Sequence, residues 1–362
     1  MKNKFQKLKS INKIKRNRGI FSTRKNKIRL DANERISSFD KSFLKVIKKK
    51  ISSFHFAAYP EVEKIYDILS KKYKLPRSHF LITSGSDFGI RHCFELFTQK
   101  NSKIITLHPT FGMVDVYGKV FETNQIKIKF DKDLKLNYLK LLKSINKNIS
   151  MIMLANPNSP TGTIIDSDKI IKIIKKAKNN NCYVVIDEAY FGFYKKTFLH
   201  FVKKFKNLII LRTFSKAFGL AGIRAGYIVS NKKLIKKLYS FRPMYEISSL
   251  SCLIIEEIFK RQNLVNSYIS STIKGKKYLI TELNKMGFGH YESYANFILV
   301  DFYKKPLVKK IYKNLSKRGI LVRKAPDIQA TRTCLRFTLG PTNYMKKLAE
   351  NLKKYKTYSM EK

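Results

Sequence analysis

The 362-residue chain has no tryptophan, only four cysteines and only six histidines. The cysteines are widely spaced and form no C-x-x-C pair, which argues against a disulfide scaffold and a zinc ribbon. The histidines are scattered singly without an H-E-x-x-H motif, so we predict no metal site. No apolar run approaches the roughly 20 residues that a membrane-spanning helix needs. We therefore expect a soluble, cytoplasmic protein with no membrane partner.

Acidic residues are also scarce, with 25 Asp and Glu against 75 Lys and Arg, for a net charge of +50. Such a charge would suit a nucleic-acid partner, because basic side chains neutralise phosphates. The lysines are spread along the whole chain, however, and lie on the outer faces of predicted helices such as 170–181. We interpret them as a solvated surface and expect no specific nucleic-acid partner.

Residues 1–29 contain twelve basic residues and no acidic one. This composition predicts a disordered basic arm, dispensable for chemistry. An organelle transit peptide is the alternative, although such peptides favour Arg and Ser over Lys and Asn.

Short apolar runs alternate with amphipathic helical stretches between residues 80 and 242. The alternation predicts an α/β fold with a mostly parallel sheet covered by helices on both faces. The candidate strands are 79–83, 103–107, 150–154, 182–186, 207–211 and 226–230. After a helical stretch at about 246–285, further strand-like runs lie at 296–302, 321–324 and 335–340. We assign 56–249 to a large domain, and 30–55 with 250–362 to a smaller α+β domain.

Polar or glycine- and proline-rich motifs follow the predicted strands of the large domain. In chain order they are TSGSD, HPTF, NPNSPTG, DEAY and RTFSKAFGLAGIRAG. Functional residues of an open parallel sheet collect where strands end. We therefore expect these motifs to converge on one cleft.

Lys216 and Asp187 carry the chemistry expected of that cleft. Lys216 follows a buried strand among small apolar residues, where desolvation would favour the neutral, nucleophilic amine. Asp187 ends the preceding strand and could keep a pyridine nitrogen protonated, as a pyridoxal phosphate site requires. A surface lysine and a turn-forming aspartate are the alternatives, and both become improbable at adjacent strand ends.

A cofactor phosphate needs backbone amides at a helix start, hydroxyls and a guanidinium. Ser86 and Asp87 open the helix after the first of these strands, Ser215 precedes Lys216, and Arg224 follows it closely. The run G-L-A-G-I-R-A-G is not a G-x-G-x-x-G fingerprint, and no P-loop occurs. Dinucleotide and nucleoside-triphosphate sites are therefore disfavoured.

Ten motifs in order resemble the fold-type I aminotransferases that depend on pyridoxal 5'-phosphate (PLP), and most of all the histidinol-phosphate aminotransferase group. They are LDANE, AYP, TSGSD, HPTF, NPNSPTG, DEAY, RTFSKAFGLAGIRAGY, SYANFILV, ILVRK and LRFTLG, from about Leu30 to the helix after Gly340. The resemblance implies a large domain with a mostly parallel sheet, a smaller α+β domain and PLP as cofactor.

The resemblance also implies roles for the residues that match the cofactor motifs. Lys216 would bind PLP as a Schiff base and then transfer protons. Asp187 would pair with the ring nitrogen, and Tyr190 would hydrogen-bond the ring hydroxyl. The cofactor phosphate would be held by Ser86, Asp87, Ser215 and Arg224, and by Tyr59 of a neighbouring subunit, which implies a homodimer with shared active sites.

For the substrate, the resemblance implies that Arg336 clamps the α-carboxylate and that Arg323 meets a second anionic group. Asn33 would lie at the substrate side. The sequence departs from the family at Phe111, where Tyr is usual, at Ser159, where Asn is usual, and at Phe88, where Glu is usual. N-E-R-I (33–36) replaces N-E-N-P, and we expect this change to lie near the substrate entrance.

The sequence thus predicts an aminotransferase that moves an amino group from a small donor, glutamate, to an anionic oxo-acceptor. Histidinol phosphate and imidazole-acetol phosphate are the best named pair. A transaminase for another phosphate, phosphonate or polysaccharide-pathway substrate is an alternative. A PLP-dependent amino-acid phosphate decarboxylase shares the fold and is a second one. A nucleic-acid or anionic-surface binder would draw only on the charge.

Overall fold

A seven-stranded sheet forms the centre of the computed structural model, which describes residues 24–326 and 328–356. The strands are β2 (Phe80–Thr83), β3 (Lys103–His108), β4 (Asn124–Lys129), β5 (Ile149–Ala155), β6 (Tyr183–Asp187), β7 (Leu208–Thr213) and β8 (Gly226–Ser230). Their order in the sheet is β2-β8-β7-β6-β5-β3-β4. β8 runs antiparallel to both of its neighbours, and the other strands share one direction. The predicted mostly parallel sheet is confirmed.

The α-helices cover the sheets and connect their strands. They are α1 (Lys41–Lys50), α2 (Phe54–Ala57), α3 (Glu63–Tyr73), α4 (Gly85–Phe97), α5 (Gly112–Val120), α6 (Tyr138–Ser144), α7 (Ser167–Asn179), α8 (Lys232–Tyr239), α9 (Ser249–Phe259), α10 (Gln262–Lys285), α11 (Lys305–Lys317) and α12 (Thr342–Lys353). Short 3-10 turns lie at Arg77–His79, Leu199–Lys203 and Ala221–Ile223.

Both faces of the large sheet are buried. Alternate residues of one strand enter different cores, since Met151 and Met153 pack with α4, α5 and α8, whereas Ile152 and Leu154 pack with α3, α7 and α9. A strand covered on both sides has to be apolar at every position, which explains the continuous apolar runs. Helices therefore lie on both faces, as predicted.

Helix α7 shows how the lysine-rich sequence folds. Ile170, Ile173, Ile174 and Ala177 are buried at the spacing of one helix face. The lysines of this helix are exposed on the opposite side. For this helix, the interpretation of the basic residues as a solvated face is confirmed.

A second, five-stranded sheet has the order β1-β11-β12-β10-β9. Its strands are β1 (Ile28–Leu30), β9 (Gly289–His290), β10 (Phe297–Asp301), β11 (Ile320–Lys324) and β12 (Cys334–Thr338). Together with α10, α11 and α12 it encloses a separate core that includes Leu283, Ile298 and Leu348. The sequence ranges given above for the two domains remain predictions.

Three of the described strands, β1, β4 and the two-residue β9, lie where none was predicted. β4 pairs in parallel with β3 at the edge of the large sheet. β1 pairs in parallel with β11, with Ile28 opposite Ile320. Residues 28 and 29 therefore belong to a sheet, and the predicted disorder of the arm is wrong for them; residues 1–23 lie outside the described part of the chain. Within residues 24–326 and 328–356, no helix combines the length and apolarity needed to cross a membrane.

Candidate active site

The loops after β2, β3, β5, β6 and β7 meet in a cavity of about 1090 Å³. Because these strands share one direction, their carboxyl ends lie at the same edge of the sheet. β11, β12 and the segment after β1 close the cavity from the other side. All but one of the predicted site residues line it, namely Asn33, Ser86, Asp87, Phe111, Ser159, Asp187, Tyr190, Ser215, Lys216, Arg224, Arg323 and Arg336.

Lys216 lies three residues beyond the end of β7, with its amine in the cavity. Its Nζ donates a hydrogen bond to the carbonyl oxygen of Ala32 at 3.2 Å. Burial, and after it the nearby Arg336 cation, lower the pKa of Lys216 to about 8. Near neutral pH the neutral amine that a nucleophile requires is therefore far more abundant than in an ordinary lysine.

Asp187 is the last residue of β6 and is only 6% exposed. Burial raises the pKa of its carboxyl to about 7, against the opposing effects of the Ala189 N–H and the Lys216 ammonium. The Ala189 N–H donates to Oδ1 at 3.0 Å. A cationic partner placed in the cavity would stabilise the ionised form of this buried carboxyl.

Tyr190 and Asn33 join the two sheets across the cavity. Asn33 Nδ2 donates to the Tyr190 hydroxyl at 2.9 Å. The Asn33 backbone N–H donates to Thr338 Oγ1, also at 2.9 Å, and its φ of 54° is a conformation that Asn tolerates better than most residues. Burial raises the pKa of Tyr190, while Arg336 and hydrogen bonding to Ser159 and Asn33 oppose that rise. The Tyr190 hydroxyl is thereby held in one orientation.

The turn that opens α4 forms an anion cradle. Ser86 and Asp87 lie in the first turn of α4, where backbone N–H groups have no partner within the helix. Gly85, at φ 80°, allows the Arg224 guanidinium to approach, because a Cβ there would lie 3.1 Å from Nη2. Arg224 Nη1 in turn donates to Ser215 Oγ at 3.5 Å. Amides, hydroxyls and a guanidinium suit a phosphate.

The opposite wall of the cavity is cationic. Arg336 on β12 is paired with Arg323 on the neighbouring strand β11, and Lys324 is the residue after Arg323. Arg336 Nη2 donates to the Asp31 carbonyl at 2.7 Å, while its buried Nε has no partner among the described residues. Burial lowers the pKa of Arg336, and Arg323 adds to that effect. An anionic substrate group would supply the missing acceptor.

Glu34 and Lys324 also line the cavity and were not predicted as site residues. Glu34 forms ion pairs with Arg24 at 2.9 Å and Arg29 at 3.3 Å, so residues of the predicted basic arm reach the cavity wall. In the sequence, only its position directly after the predicted site residue Asn33 could have indicated that Glu34 lines the cavity.

The two residues that depart from the family in N-E-R-I, Arg35 and Ile36, pack beside the cavity lining rather than in it. The Arg35 guanidinium lies 4.2 Å from the Phe39 ring centroid and 4.5 Å from that of Tyr268. Ile36 is buried against Gly340, where a Cβ would come within 2.1 Å of its Cδ1. Arg35 and Ile36 are absent from the cavity wall, whereas Asn33 and Glu34, directly before them, line it. The expectation that this change lies near the substrate entrance stays a prediction.

Tyr59 is the predicted site residue that does not line the cavity of its own chain. It is 73% exposed and stacks on Tyr245 with ring centroids 4.1 Å apart. Its assignment to a neighbouring subunit's site stays a prediction. Phe111, at the start of α5, does line the cavity and is 37% exposed.

The donor set fits PLP. The cradle of Ser86, Asp87, Ser215 and Arg224 suits its phosphate, and the Lys216 amine suits its aldehyde. The buried Asp187 carboxyl suits a protonated pyridine nitrogen, which would supply the cation that this carboxyl lacks. The fold and the site together define a PLP-dependent aminotransferase.

The comparison with known proteins agrees. The chain belongs to the aminotransferase class I and II family, whose model matches residues 22–352. A curated relative, histidinol-phosphate aminotransferase of Caldanaerobacter subterraneus subsp. tengcongensis, is 34% identical over 321 residues, covering 88% of this chain and 90% of the relative.

Two solved structures share the fold. Histidinol-phosphate aminotransferase from Sinorhizobium meliloti, in complex with PLP, superposes with a TM-score of 0.83 at 21% identity, covering 91% of this chain and 90% of that one. L-threonine-O-3-phosphate decarboxylase from Porphyromonas gingivalis superposes with a TM-score of 0.76 at 19% identity, covering 91% and 99%. Transaminases and a decarboxylase therefore use this architecture, and the fold alone does not separate them.

Proposed function

We propose that this enzyme transfers the amino group of glutamate to imidazole-acetol phosphate, forming histidinol phosphate. The observation that carries the proposal is the cationic wall of the cavity, formed by Arg336, Arg323 and Lys324. A donor with a carboxylate and an acceptor with a phosphate both need such a wall. Curated relatives with more than 30% identity are histidinol-phosphate aminotransferases, which further supports the choice of histidinol phosphate.

The residues divide the work by position. When bound, PLP supplies an electron-withdrawing ring that stabilises the negative charge left when the substrate α-carbon loses its proton. Asp187 would keep the ring nitrogen protonated, and Tyr190 with Asn33 and Ser159 would fix the ring hydroxyl. The cradle at α4 would hold the phosphate. Lys216 Nζ would accept the proton of the substrate α-carbon and deliver it to the cofactor carbon that receives the amino group.

Arg336 orients the substrate. Its guanidinium forms a fork that suits a carboxylate, and its unpartnered Nε offers a second donor beside the amino groups at its tip. Arg323 and Lys324 line the cavity and are exposed to solvent, and their charges suit the acceptor phosphate.

We further propose a cytoplasmic homodimer that shares its active sites. Tyr59, Tyr245, Phe56 and Met244 are 73%, 45%, 72% and 74% exposed, which supports an interface on this side of the molecule. The four cysteines are free and buried, which is compatible with a reducing compartment.

An absorption titration of the PLP-loaded enzyme tests the substrates separately. We expect glutamate, and separately histidinol phosphate, to convert the bound cofactor to its amine form. Conversion by glutamate alone would refute the proposed acceptor and keep the transaminase. Release of carbon dioxide without amine transfer would refute transamination and favour the decarboxylase.

A further inference from the structure

A buried charged cluster lies directly behind the α4 cradle. His92 on α4 is 2% exposed and Glu246, in the segment before α9, is 3% exposed at its side chain. His92 Nε2 lies 2.8 Å from Glu246 Oε1, and His92 Nδ1 lies 2.9 Å from Glu95 Oε2. The catalytic steps described above do not use any of these three side chains.

Both imidazole nitrogens therefore face carboxylate oxygens. An ionised carboxylate only accepts hydrogen bonds, and a neutral imidazole has a single N–H. Only the imidazolium form of His92 satisfies both contacts. Burial alone would lower the pKa of His92, but the hydrogen bonds and charges of Glu246 and Glu95 outweigh it and raise the pKa.

Glu246 connects this cluster to the cradle. Its second oxygen, Oε2, accepts the backbone N–H of Ser84 at 3.0 Å. Ser84 precedes Gly85 and the cradle residues, and its hydroxyl donates to the Arg224 carbonyl at 3.3 Å. The carboxylate of Glu246 thus holds the backbone that leads into the α4 amides, and the Ser84 side chain links that backbone to the Arg224 carbonyl.

We infer that His92 and Glu246 are positioning residues that hold the Ser84–Asp87 turn in its phosphate-binding geometry while His92 is charged. This inference rests on the assignment of that turn to the cofactor phosphate. The charged groups acting on His92 are Glu95 on its own helix and Glu246 from the packed segment, and Arg91 in turn pairs with Glu95 at 2.9 Å.

The sign of the pH effect follows from the raised pKa. The chain of contacts from His92 through Glu246 to Ser84 is complete at low pH, and it is lost as the pH rises through the pKa of His92 in the folded protein. Neutral His92 has a single N–H for two carboxylates, so Glu246 shares this donor with Glu95 and its hold on Ser84 weakens. Phosphate affinity then falls, whereas contacts to the cofactor ring do not change.

The test measures binding to the full-length chain freed of cofactor. Pyridoxamine 5'-phosphate is the probe, since it binds without forming a bond to Lys216, and pyridoxamine is its phosphate-free control. Dissociation constants are measured over a pH series from about 5.5 to about 9.5, which brackets the ordinary histidine pKa. The variants are Glu246→Ala, Glu246→Gln and, as a matched control, exposed His200→Gln.

Glu246→Ala should weaken pyridoxamine 5'-phosphate about tenfold at low pH, the effect of losing a hydrogen bond to a charged acceptor. Its affinity for pyridoxamine should stay unchanged. Glu246→Gln keeps an acceptor for Ser84, and its amide can donate to neutral His92. Both of these contacts are satisfied when His92 is neutral, so this variant should lack the wild-type loss at high pH.

Equal loss of both probes in Glu246→Ala, no loss of either, or a pH step that persists in Glu246→Gln would overturn the inference. If Glu246→Ala fails to fold, the pH dependence of pyridoxamine 5'-phosphate binding to Glu246→Gln tests the inference by itself. Equal wild-type affinity for the two probes would overturn the phosphate-site assignment itself. A protein that binds as expected but transfers no amino group would instead refute the proposed function.

Discussion

Arg336→Ala is the substitution that most sharply tests the substrate side of the site. The guanidinium lies on β12 with one tip nitrogen bound to the Asp31 carbonyl and Nε unpartnered. The protein backbone therefore already positions the group, and the remaining donors face the cavity. Removing the guanidinium deletes the cation that would bind the substrate and breaks no ion pair within residues 24–326 and 328–356.

The expected loss is large because the substrate carboxylate would be bound away from bulk water. Truncating one partner of a buried, hydrogen-bonded charge pair costs about 2–5 kcal/mol. At about 1.4 kcal/mol per tenfold change, substrate affinity should fall by roughly 30-fold to several thousand-fold. Arg336→Lys keeps the charge but not the fork, so we expect an intermediate loss of about tenfold.

Two measurements check this expectation. Titration of the PLP-loaded enzyme gives the dissociation constant for glutamate, and steady-state kinetics separate KM from kcat. Exposed Arg332→Ala, on the loop before β12, is the matched control and should bind glutamate normally. A fall in kcat with unchanged glutamate affinity would refute the assigned role of Arg336.

Three further predictions follow from the same geometry. Asp187→Asn should lower kcat about 10²- to 10³-fold, as expected for removal of a preorganised charge, and steady-state rates near those of the wild type would contradict its role. Covalent attachment of PLP to the cofactor-free protein needs the neutral Lys216 amine. The rate of attachment, followed by absorbance, should therefore rise with pH and level off above about 8, the pKa of Lys216. A rate that falls across this range would contradict the role of Lys216 as the nucleophile. Glu188→Gln leaves the buried Arg212, 2.6 Å away, without its counter-charge and should cost about 3 kcal/mol in denaturant unfolding. The exposed pair partner Glu63→Gln is its control and should cost less than about 1 kcal/mol, and equal effects would show that burial of the pair does not matter.

The sheet could be predicted where strands are buried on both faces. β5, β6 and β7 are continuous apolar runs because each lies between two layers of helices. β4 was missed because NQIKIK alternates apolar residues with lysine at the sheet edge, with one buried position. β1 was missed because its three residues are a strand only through pairing with β11, almost 300 positions later.

Some site residues could likewise be predicted from the sequence alone, and others could not. Asp187 and Lys216 lie at the ends of neighbouring strands, so sheet topology alone placed them together. Arg336 comes from the second sheet, and the residues by themselves gave no reason to place it at the cavity; only the family resemblance did. The orientation of Arg35 depends on Phe39 and Tyr268, which approach only in the folded chain.

The His92 cluster carries no sequence signature. Its members are separated by three and by 154 positions, and their contacts depend on how the segment before α9 returns to α4. An isolated histidine inside an amphipathic helix is an ordinary core residue in sequence terms. The charge of His92 and its link to Ser84 through Glu246 follow only from the distances in the folded protein.

The most direct test of the central claim follows the amino nitrogen itself. Glutamate labelled with nitrogen-15 is incubated with imidazole-acetol phosphate and the PLP-loaded enzyme, and the product is analysed by mass spectrometry. We predict labelled histidinol phosphate with the wild type and none with Lys216→Ala. Undiminished label transfer by Lys216→Ala, or no label transfer by the wild type, would contradict an amino-transfer reaction that depends on Lys216.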